Sequence, residues 1–134
     1  MRTCRERRKV AHALREGTLL AMSQRTDHEQ ELITCDAYGR LLFWDCDVRD
    51  PVQVIDDPYR MPLHCINVSP TGKYLAYSGD DGLVKVVDLV TGEIIAIGIG
   101  HSNAVRAVQW SPDERQLIST GEDAAICVWN FFAL

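Results

Sequence analysis

Three polar residues in the C-terminal part of the sequence have the types that a hydrolase uses: His101, Ser119 and Asp123. In a catalytic triad the histidine takes the proton of the serine hydroxyl, and the aspartate orients the histidine. In α/β-hydrolases the reactive serine lies on a strained turn with the pattern G-x-S-x-G, and no such turn surrounds Ser119. The sequence also lacks a glycine loop that would cradle a phosphate. We therefore expect no catalytic residue and no enzymatic activity.

Thiols and possible metal ligands are the other groups in the sequence that could take part in chemistry. The cysteines number five, and no two of them have C-x-x-C spacing: Cys4, Cys35, Cys46, Cys65 and Cys127. This pattern favours free thiols in a reducing compartment over a disulfide framework. The adjacent His64 and Cys65 lack a second pair of ligands at metal-site spacing, so we expect no metal and no cofactor.

Length and composition are those of one ordinary soluble domain, with 134 residues, 46% hydrophobic and 25% charged. The longest apolar run, residues 94–100, is much shorter than the roughly 18 residues of a membrane-spanning helix, so no membrane partner is expected. No signal-peptide pattern opens the chain. We expect a cytoplasmic protein, with cytoskeletal or nuclear association left open.

The net charge of −5 is unevenly distributed. Residues 1–9 carry five basic side chains and one acidic one, whereas the rest of the chain carries nine basic and eighteen acidic ones. The basic start suits a nuclear-import or nucleic-acid patch, or a solvated tail over residues 1–8, which we favour because termini are generally mobile. Affinity for nucleic acid comes largely from neutralising phosphates, so the acidic remainder is not expected to bind it.

An internal repeat is the main organising signal of the sequence. Residues 63–88 align with residues 105–130 at an offset of 42, with six identical positions such as Asp81/Asp123. Residues 20–45 align with residues 63–88 at an offset of 43, with four identical positions. The constant spacing predicts three copies of one structural unit.

Each unit consists of short apolar runs separated by turn-forming residues, which predicts strands. The second and third units give strands over 63–68, 74–78, 83–87, 104–110, 116–120 and 125–129, with further strands at 52–55 and 94–97. Lys9–Leu14 is a further strand or a helix. Runs such as Ile126–Trp129 are apolar on both faces, which predicts small sheets stacked face to face rather than a two-sheet sandwich.

The third unit begins with Gly100-His101 and ends with Trp129-Asn130. It resembles the WD-repeat (WD40) family, whose units run from a Gly-His pair to a Trp-Asp pair. The resemblance extends over residues 9–134 as three repeats, approximately 9–46, 52–88 and 93–130. It implies an all-β fold of consecutive four-stranded antiparallel blades of a β-propeller. It also implies one structural hydrogen-bond chain, in which the serine hydroxyl accepts the indole N–H: His101, Ser119, Asp123 and Trp129.

The first two units depart from this pattern. The residues at the unit ends and turns are retained in part: Trp44, Asp45, Asp81, Asp88 and Asn130. In the second unit Tyr59, Tyr77 and Val87 replace the histidine, the hydroxyl residue and the tryptophan, so that the hydrogen-bond chain cannot form. In the first unit Thr34 remains, but Tyr38 replaces the turn aspartate. We expect these two blades to depend more on apolar packing.

Three units are fewer than the roughly four to eight blades that close a propeller. The sequence therefore predicts a partial, open arc, as in a fragment or short isoform of a longer propeller protein, or a chain that pairs with another. Open ends expose apolar blade faces, which predicts self-association or completion by further blades.

The resemblance implies a non-catalytic scaffold or adaptor, a WD-repeat subunit of a multiprotein complex whose partners are other proteins. The candidate contact residues lie where the second and third units start: Arg60, His64, Ser102, Asn103 and Arg106. The longest irregular insert, residues 46–62, contains the acidic pair Asp56-Asp57 and is a candidate partner-binding loop. The alternative is a nucleic-acid- or chromatin-associated factor that uses Arg2–Lys9.

Overall fold

The protein folds into three antiparallel sheets in which consecutive strands are neighbours. The computed structural model describes residues 19–24, 31–45 and 50–132, the first of these ranges by its backbone alone. Blade 1 contains β1 Leu19–Gln24, β2 Glu31–Asp36, β3 Arg40–Asp45 and β4 Gln53–Asp56. Blade 2 contains β5 Leu63–Val68, β6 Tyr74–Gly79, β7 Leu83–Asp88 and β8 Ile94–Ile99. Blade 3 contains β9 Val105–Trp110, β10 Gln116–Gly121 and β11 Ile126–Asn130.

Short turns connect the strands within each blade, and the turn residues explain the repeat. In the β5–β6 turn the Ser69 Oγ accepts a hydrogen bond from the Tyr74 N–H at 3.1 Å. The β9–β10 turn repeats this bond 42 residues later, where the Ser111 Oγ accepts from the Gln116 N–H at 3.0 Å. The Ser-Pro pairs that mark the repeat therefore fix the same hairpin geometry in two blades.

The blades pack face to face, and a separate apolar cluster fills each interface. Blade 1 and blade 2 bury a first cluster that includes Ile33, Leu41, Phe43, Leu75, Tyr77 and Val87. Blade 2 and blade 3 bury a second cluster that includes Ala76, Val84, Val86, Val105, Val108, Trp110 and Leu117. Since successive side chains of a strand point to opposite faces, Val86 faces blade 3 and Val87 faces blade 1. The predicted all-β fold of sheets stacked face to face is confirmed.

Blade 3 differs from the expectation of four strands, because the described part of the chain gives it three. The Phe131 N–H donates to the Arg115 carbonyl at 2.8 Å. The Phe131 ring lies edge-on to the rings of Tyr74 and Trp110, with centroids 5.0 Å and 5.1 Å away. This packing holds Phe131 at the end of the blade, so that it does not begin a strand beside β11. The predicted basic tail and the predicted element at Lys9–Leu14 lie outside the described residues.

The face of blade 3 that points away from blade 2 is apolar and exposed, and we name it the end face. Its residues Ile118, Ile126 and Val128 are 41%, 74% and 58% exposed. The residues 42 positions earlier are at most 2% exposed because blade 3 covers them: Ala76, Val84 and Val86. The end face therefore has the character of a face that another blade would cover.

We expect the chain to form dimers or larger species through the end face, as measured by size-exclusion chromatography with light scattering. Ile126→Lys should shift the chain towards monomer, because burying an ammonium group in an apolar interface is unfavourable. Val90→Lys is the matched control, since Val90 is 86% exposed in the turn between β7 and β8. A monomeric wild-type chain, or an equal shift in both variants, would contradict this expectation.

Candidate protein-interaction surface

One end of the blade stack carries the connections between blades and one hairpin of each blade, and we name it the linker end. Residues 57–62 lead into blade 2, and residues 100–104 lead into blade 3. The hairpins dock on these linkers in the same way in both blades. The Asp80 N–H donates to the Pro62 carbonyl at 2.9 Å, and the Glu122 N–H donates to the Ala104 carbonyl at 2.8 Å. A Cβ on Gly79 would lie 2.0 Å from the Pro62 oxygen, which explains the repeated glycine.

Blade 3 holds a continuous hydrogen-bond chain from its linker to β11. The His101 Nδ1 lies 3.0 Å from the Asp123 carboxylate, and the His101 Nε2 lies 2.7 Å from the Ser119 Oγ. The Trp129 Nε1–H donates to the same hydroxyl oxygen at 2.8 Å. Every donor has one acceptor when the histidine proton is on Nδ1 and the Ser119 hydroxyl donates to Nε2. Because Ser119 is fully buried, its hydroxyl serves this chain and is not presented to a substrate.

Asp123 anchors the chain at the linker end, and Trp129 anchors it on blade 2. Although burial opposes the charged form, hydrogen bonds from the Ser102 N–H at 3.0 Å and from His101 lower the pKa of the Asp123 carboxyl. The Trp129 ring packs on the outer strand of blade 2, where a Cβ on Gly98 would lie 2.8 Å from the ring. The hydrogen-bond chain therefore joins the linker before blade 3, two strands of blade 3 and β8.

Blade 1 retains the hydroxyl–indole end of this chain. The Trp44 Nε1–H donates to the Thr34 Oγ1 at 2.8 Å, and both residues are buried. The turn carboxylate, which the sequence comparison missed, is Asp36, two positions before Tyr38. Its Oδ1 accepts the Tyr38 N–H at 2.9 Å, and its Oδ2 accepts the Arg40 Nε–H at 2.7 Å.

The remaining residues at the unit ends have local structural contacts. The Asp88 Oδ1 accepts the Val90 N–H at 2.8 Å and so stabilises the turn between β7 and β8. The Asn130 Oδ1 accepts a hydrogen bond from the Gln116 side chain at 3.2 Å. Asp45 is the last residue of β3. These positions close turns and strand ends within their own blades.

Blade 2 replaces the hydrogen-bond chain with a buried ion cluster, formed by Asp57, Tyr77, Asp81 and Lys85. The Lys85 Nζ lies 2.7 Å from the Asp57 Oδ1 and also contacts the Asp81 carboxylate. The Tyr77 hydroxyl donates to the Asp57 Oδ1 at 2.7 Å. Asp57, Tyr77 and Lys85 are at most 1% exposed. The sequence predicts that blade 2 depends more on apolar packing, and it does not predict that a buried ion cluster takes the place of the hydrogen-bond chain.

The charges of the ion cluster have the additional partners that burial requires. The Asp57 Oδ2 accepts the Tyr59 N–H at 3.0 Å, and the Asp81 Oδ1 accepts the Leu83 N–H at 3.0 Å. The Lys85 ammonium also lies 4.6 Å from the centre of the Tyr59 ring, a cation–π contact. Burial, together with the Asp57 and Asp81 carboxylates, raises the pKa of Tyr77, which keeps it a neutral donor.

The five predicted contact residues divide into paired and unpaired side chains. His64 contacts the Asp80 carboxylate, and the Arg106 Nε–H donates to the Glu122 Oε1 at 2.8 Å, so that both side chains are paired within their own blades. Ser102 and Asn103 are exposed but take part in the linker, where the Asn103 Oδ1 accepts the Ala104 N–H at 2.8 Å. Arg60 is exposed, and no carboxylate of the described residues lies within 4.0 Å of its guanidinium nitrogens.

The predicted partner-binding loop, residues 46–62, contains regular structure in its described part. It includes β4, and Asp57 is buried in the ion cluster. Its exposed residues include Tyr59, Arg60 and Met61 at the linker end, and Tyr38 of the neighbouring hairpin is 52% exposed. The hairpin abuts the linker closely, since a Cβ on Gly39 would lie 2.8 Å from the Arg60 Cα. We name this set the linker patch: Tyr38, Tyr59, Arg60 and Met61. Only Tyr38 lies outside the contact residues and the loop that the sequence analysis proposed.

Two further features bear on function. Within residues 31–45 and 50–132, no group of three or more His, Cys, Asp or Glu side chains is placed to hold a metal ion. The described residues also contain no helix with the length and apolarity to span a membrane. Arg2–Lys9, on which the nucleic-acid alternative depends, lies outside the described residues, so that alternative stays a prediction.

The blades define a partial β-propeller, and comparison with known families gives its class. The WD40 model (WD domain, G-beta repeat) matches residues 50–88 and 92–130, which together are more than half of the chain. The crystal structure of RRP9 WD40 repeats is similar with a TM-score of 0.79 at 20% identity, over 86% of this chain and 36% of that one. The chain belongs to the WD40-repeat family. The predicted fold of a partial propeller is confirmed.

Two curated relatives are much longer than this chain. Apoptotic protease-activating factor 1 of Mus musculus is 39% identical over 69 residues, which are 52% of this chain and 6% of the relative. Cilia- and flagella-associated protein 52 of Chlamydomonas reinhardtii is 27% identical over 103 residues, which are 77% of this chain and 17% of the relative. The chain therefore spans less than a fifth of either relative.

Lys85→Met should lower the free energy of unfolding by about 3–5 kcal/mol, because it leaves the Asp57 and Asp81 carboxylates without their cation. Urea unfolding followed by tryptophan fluorescence measures the change. Lys73→Met is the matched control, since Lys73 is exposed and its loss should change stability by about 0.5 kcal/mol or less. Equal stability of the two variants would contradict the role of the ion cluster.

Cys65 should resist alkylation by iodoacetamide at pH 8 in the folded protein and react after unfolding in urea. The thiol is 6% exposed, and burial raises its pKa to about 12, so that little thiolate forms. Cys127, which is partly exposed, is the internal control and should react more readily. Mass spectrometry of tryptic peptides measures both sites, and rapid labelling of Cys65 in the native state would contradict its burial.

Proposed function

We propose that the chain is a non-catalytic protein-interaction scaffold, a WD-repeat subunit of a multiprotein assembly. WD40 domains generally bind other proteins, and their propeller fold is typically a non-catalytic scaffold. The observation that carries the proposal is that the linker end contains both internally bonded polar residues and exposed side chains. His101, Ser119 and Asp123 are committed to the internal hydrogen-bond chain, whereas the linker patch exposes side chains on a fixed backbone.

The assembly that we propose is one associated with cilia or flagella. Cilia- and flagella-associated protein 52 supports this choice, because the match extends over 77% of the chain. The match to apoptotic protease-activating factor 1 has higher identity but extends over 52% of the chain. The expected cytoplasmic location with cytoskeletal association is consistent with this proposal and stays a prediction.

Proximity labelling in a ciliated cell line tests the proposal. The chain fused to a biotin ligase should label axonemal or other ciliary proteins above the level of the ligase alone, because a scaffold holds its partners within reach of the fused enzyme. Fluorescence of a tagged chain should remain at the cilium after detergent extraction. Lys85→Met, whose fold should be destabilised, is the control that should lose both signals. A diffuse chain without ciliary enrichment would contradict the ciliary assignment.

A further inference from the structure

We infer that the linker patch docks an acidic segment of a partner protein. In this arrangement an Asp or Glu side chain of the partner pairs with Arg60, and apolar side chains next to it pack on Tyr38 and Met61. The inference rests on the proposed scaffold function and assigns that function a surface and a partner chemistry.

The composition of the linker patch is that of an interface rather than of an ordinary solvated turn. Tyr38, Tyr59 and Met61 are 52%, 55% and 40% exposed. Tyrosine, methionine and arginine are enriched where proteins bind one another, and tyrosine and arginine are frequent hot spots. The positions 42 residues after Tyr59, Arg60 and Met61 hold polar residues, namely His101, Ser102 and Asn103. The repeat therefore does not require these side chains at the linker between blades.

The backbone of the patch is fixed before any partner binds. Arg60 has φ of 53°, a left-handed conformation that is uncommon for a residue with a Cβ. Its N–H donates to the Asp57 carbonyl at 3.1 Å, and the Asp57 side chain is held in the ion cluster below. Strained residues persist where the surrounding structure over-determines them, and they cluster at ligand-binding positions. Because this backbone is already fixed, less conformational entropy is lost when a partner binds.

The charge of Arg60 selects the acidic partner. The neighbouring cations are committed, since Arg40 pairs with Asp36 and Lys85 pairs with Asp57 and Asp81. The His64 ring is likewise in contact with the Asp80 carboxylate. Arg60 has no such carboxylate among the described residues, so its fork of donors is available to a partner. Physiological salt screens charges beyond about 8 Å, which weakens the repulsion between an acidic partner and the distant part of the chain's net charge of −5.

Selection of phage-displayed random 12-residue peptides on the full chain tests the inference. The selected peptides should be enriched in Asp or Glu next to aliphatic or aromatic residues. Fluorescence polarisation with the most enriched peptide should show a Kd at least tenfold weaker for Arg60→Asn, which removes the charge but tolerates positive φ. Tyr38→Ala should also weaken binding, and Arg60→Lys should keep most of it. Selection on Arg60→Glu should favour peptides with Lys or Arg instead.

Arg106→Ala is the matched control, because Arg106 lies at the same end but already pairs with Glu122. Its Kd should stay within twofold of the wild-type value, and circular dichroism should show that all variants are folded. The inference is overturned if no peptide is enriched, if enrichment lacks an acidic bias, or if Arg60→Asn binds as well as wild type. Binding of a labelled oligouridine RNA that Arg60→Asn abolishes, without peptide binding, would also overturn it.

The two proposals fail separately. If the Arg60→Asn chain labels the same ciliary proteins as wild type, the scaffold function stands and the linker patch is wrong as its docking site. If wild type labels none of them but still selects acidic peptides, the linker patch stands and the ciliary assignment is wrong.

Discussion

The structure depends on one constraint: each small sheet must have both of its faces covered by apolar side chains. The inner strands of blade 2 satisfy the constraint, with Val87 in the interface with blade 1 and Val86 in the interface with blade 3. In its outer strand β8, three isoleucines remain exposed: Ile95, Ile97 and Ile99. Full burial of a valine or leucine side chain contributes about 1.5–3 kcal/mol, so these two interfaces are the main source of stability. The end face of blade 3 does not satisfy the constraint, because its apolar side chains are exposed. The opposite terminal face, on blade 1, is not open in the same way, since Thr34, Leu42 and Trp44 are at most 5% exposed.

Each interface also contains polar groups, and the three blades satisfy them in different ways. Blade 3 uses four residues in which every donor has one acceptor, and blade 1 keeps the pair of Thr34 and Trp44. Blade 2 uses Lys85 between two carboxylates. A buried ion pair is seldom more stable than well-packed apolar residues, because both charges lose their hydration. The cluster nevertheless connects the linker that carries Asp57 to the strand that carries Lys85.

The sequence predicted the parts of this structure that repeat. The offset of 42 located the strands of blades 2 and 3 closely, because turn chemistry at Ser69-Pro70 and Ser111-Pro112 is local. The ion cluster was missed, although a lysine inside the apolar run Leu83–Val87 is a signal that its ammonium needs an acidic partner. Asp81 lies four residues away, but Asp57 lies in a linker whose path depends on how two blades pack. The exposure of Tyr38 beside Arg60 was beyond pattern analysis for the same reason.

The linker before blade 2 therefore holds a buried charged residue and exposed side chains within six residues. Asp57 faces inward and neutralises Lys85, whereas Arg60 and Met61 face solvent on the same short stretch of backbone. Because Asp57 is held in the ion cluster, it determines the path of the linker backbone. That path in turn determines where Arg60 and Met61 are exposed. A change in the core, such as loss of the Lys85 charge, would therefore alter the position of the exposed linker side chains although none of them is substituted. In a family whose blades share one backbone plan, the side chains of such linkers are where one member can differ from another in what it binds.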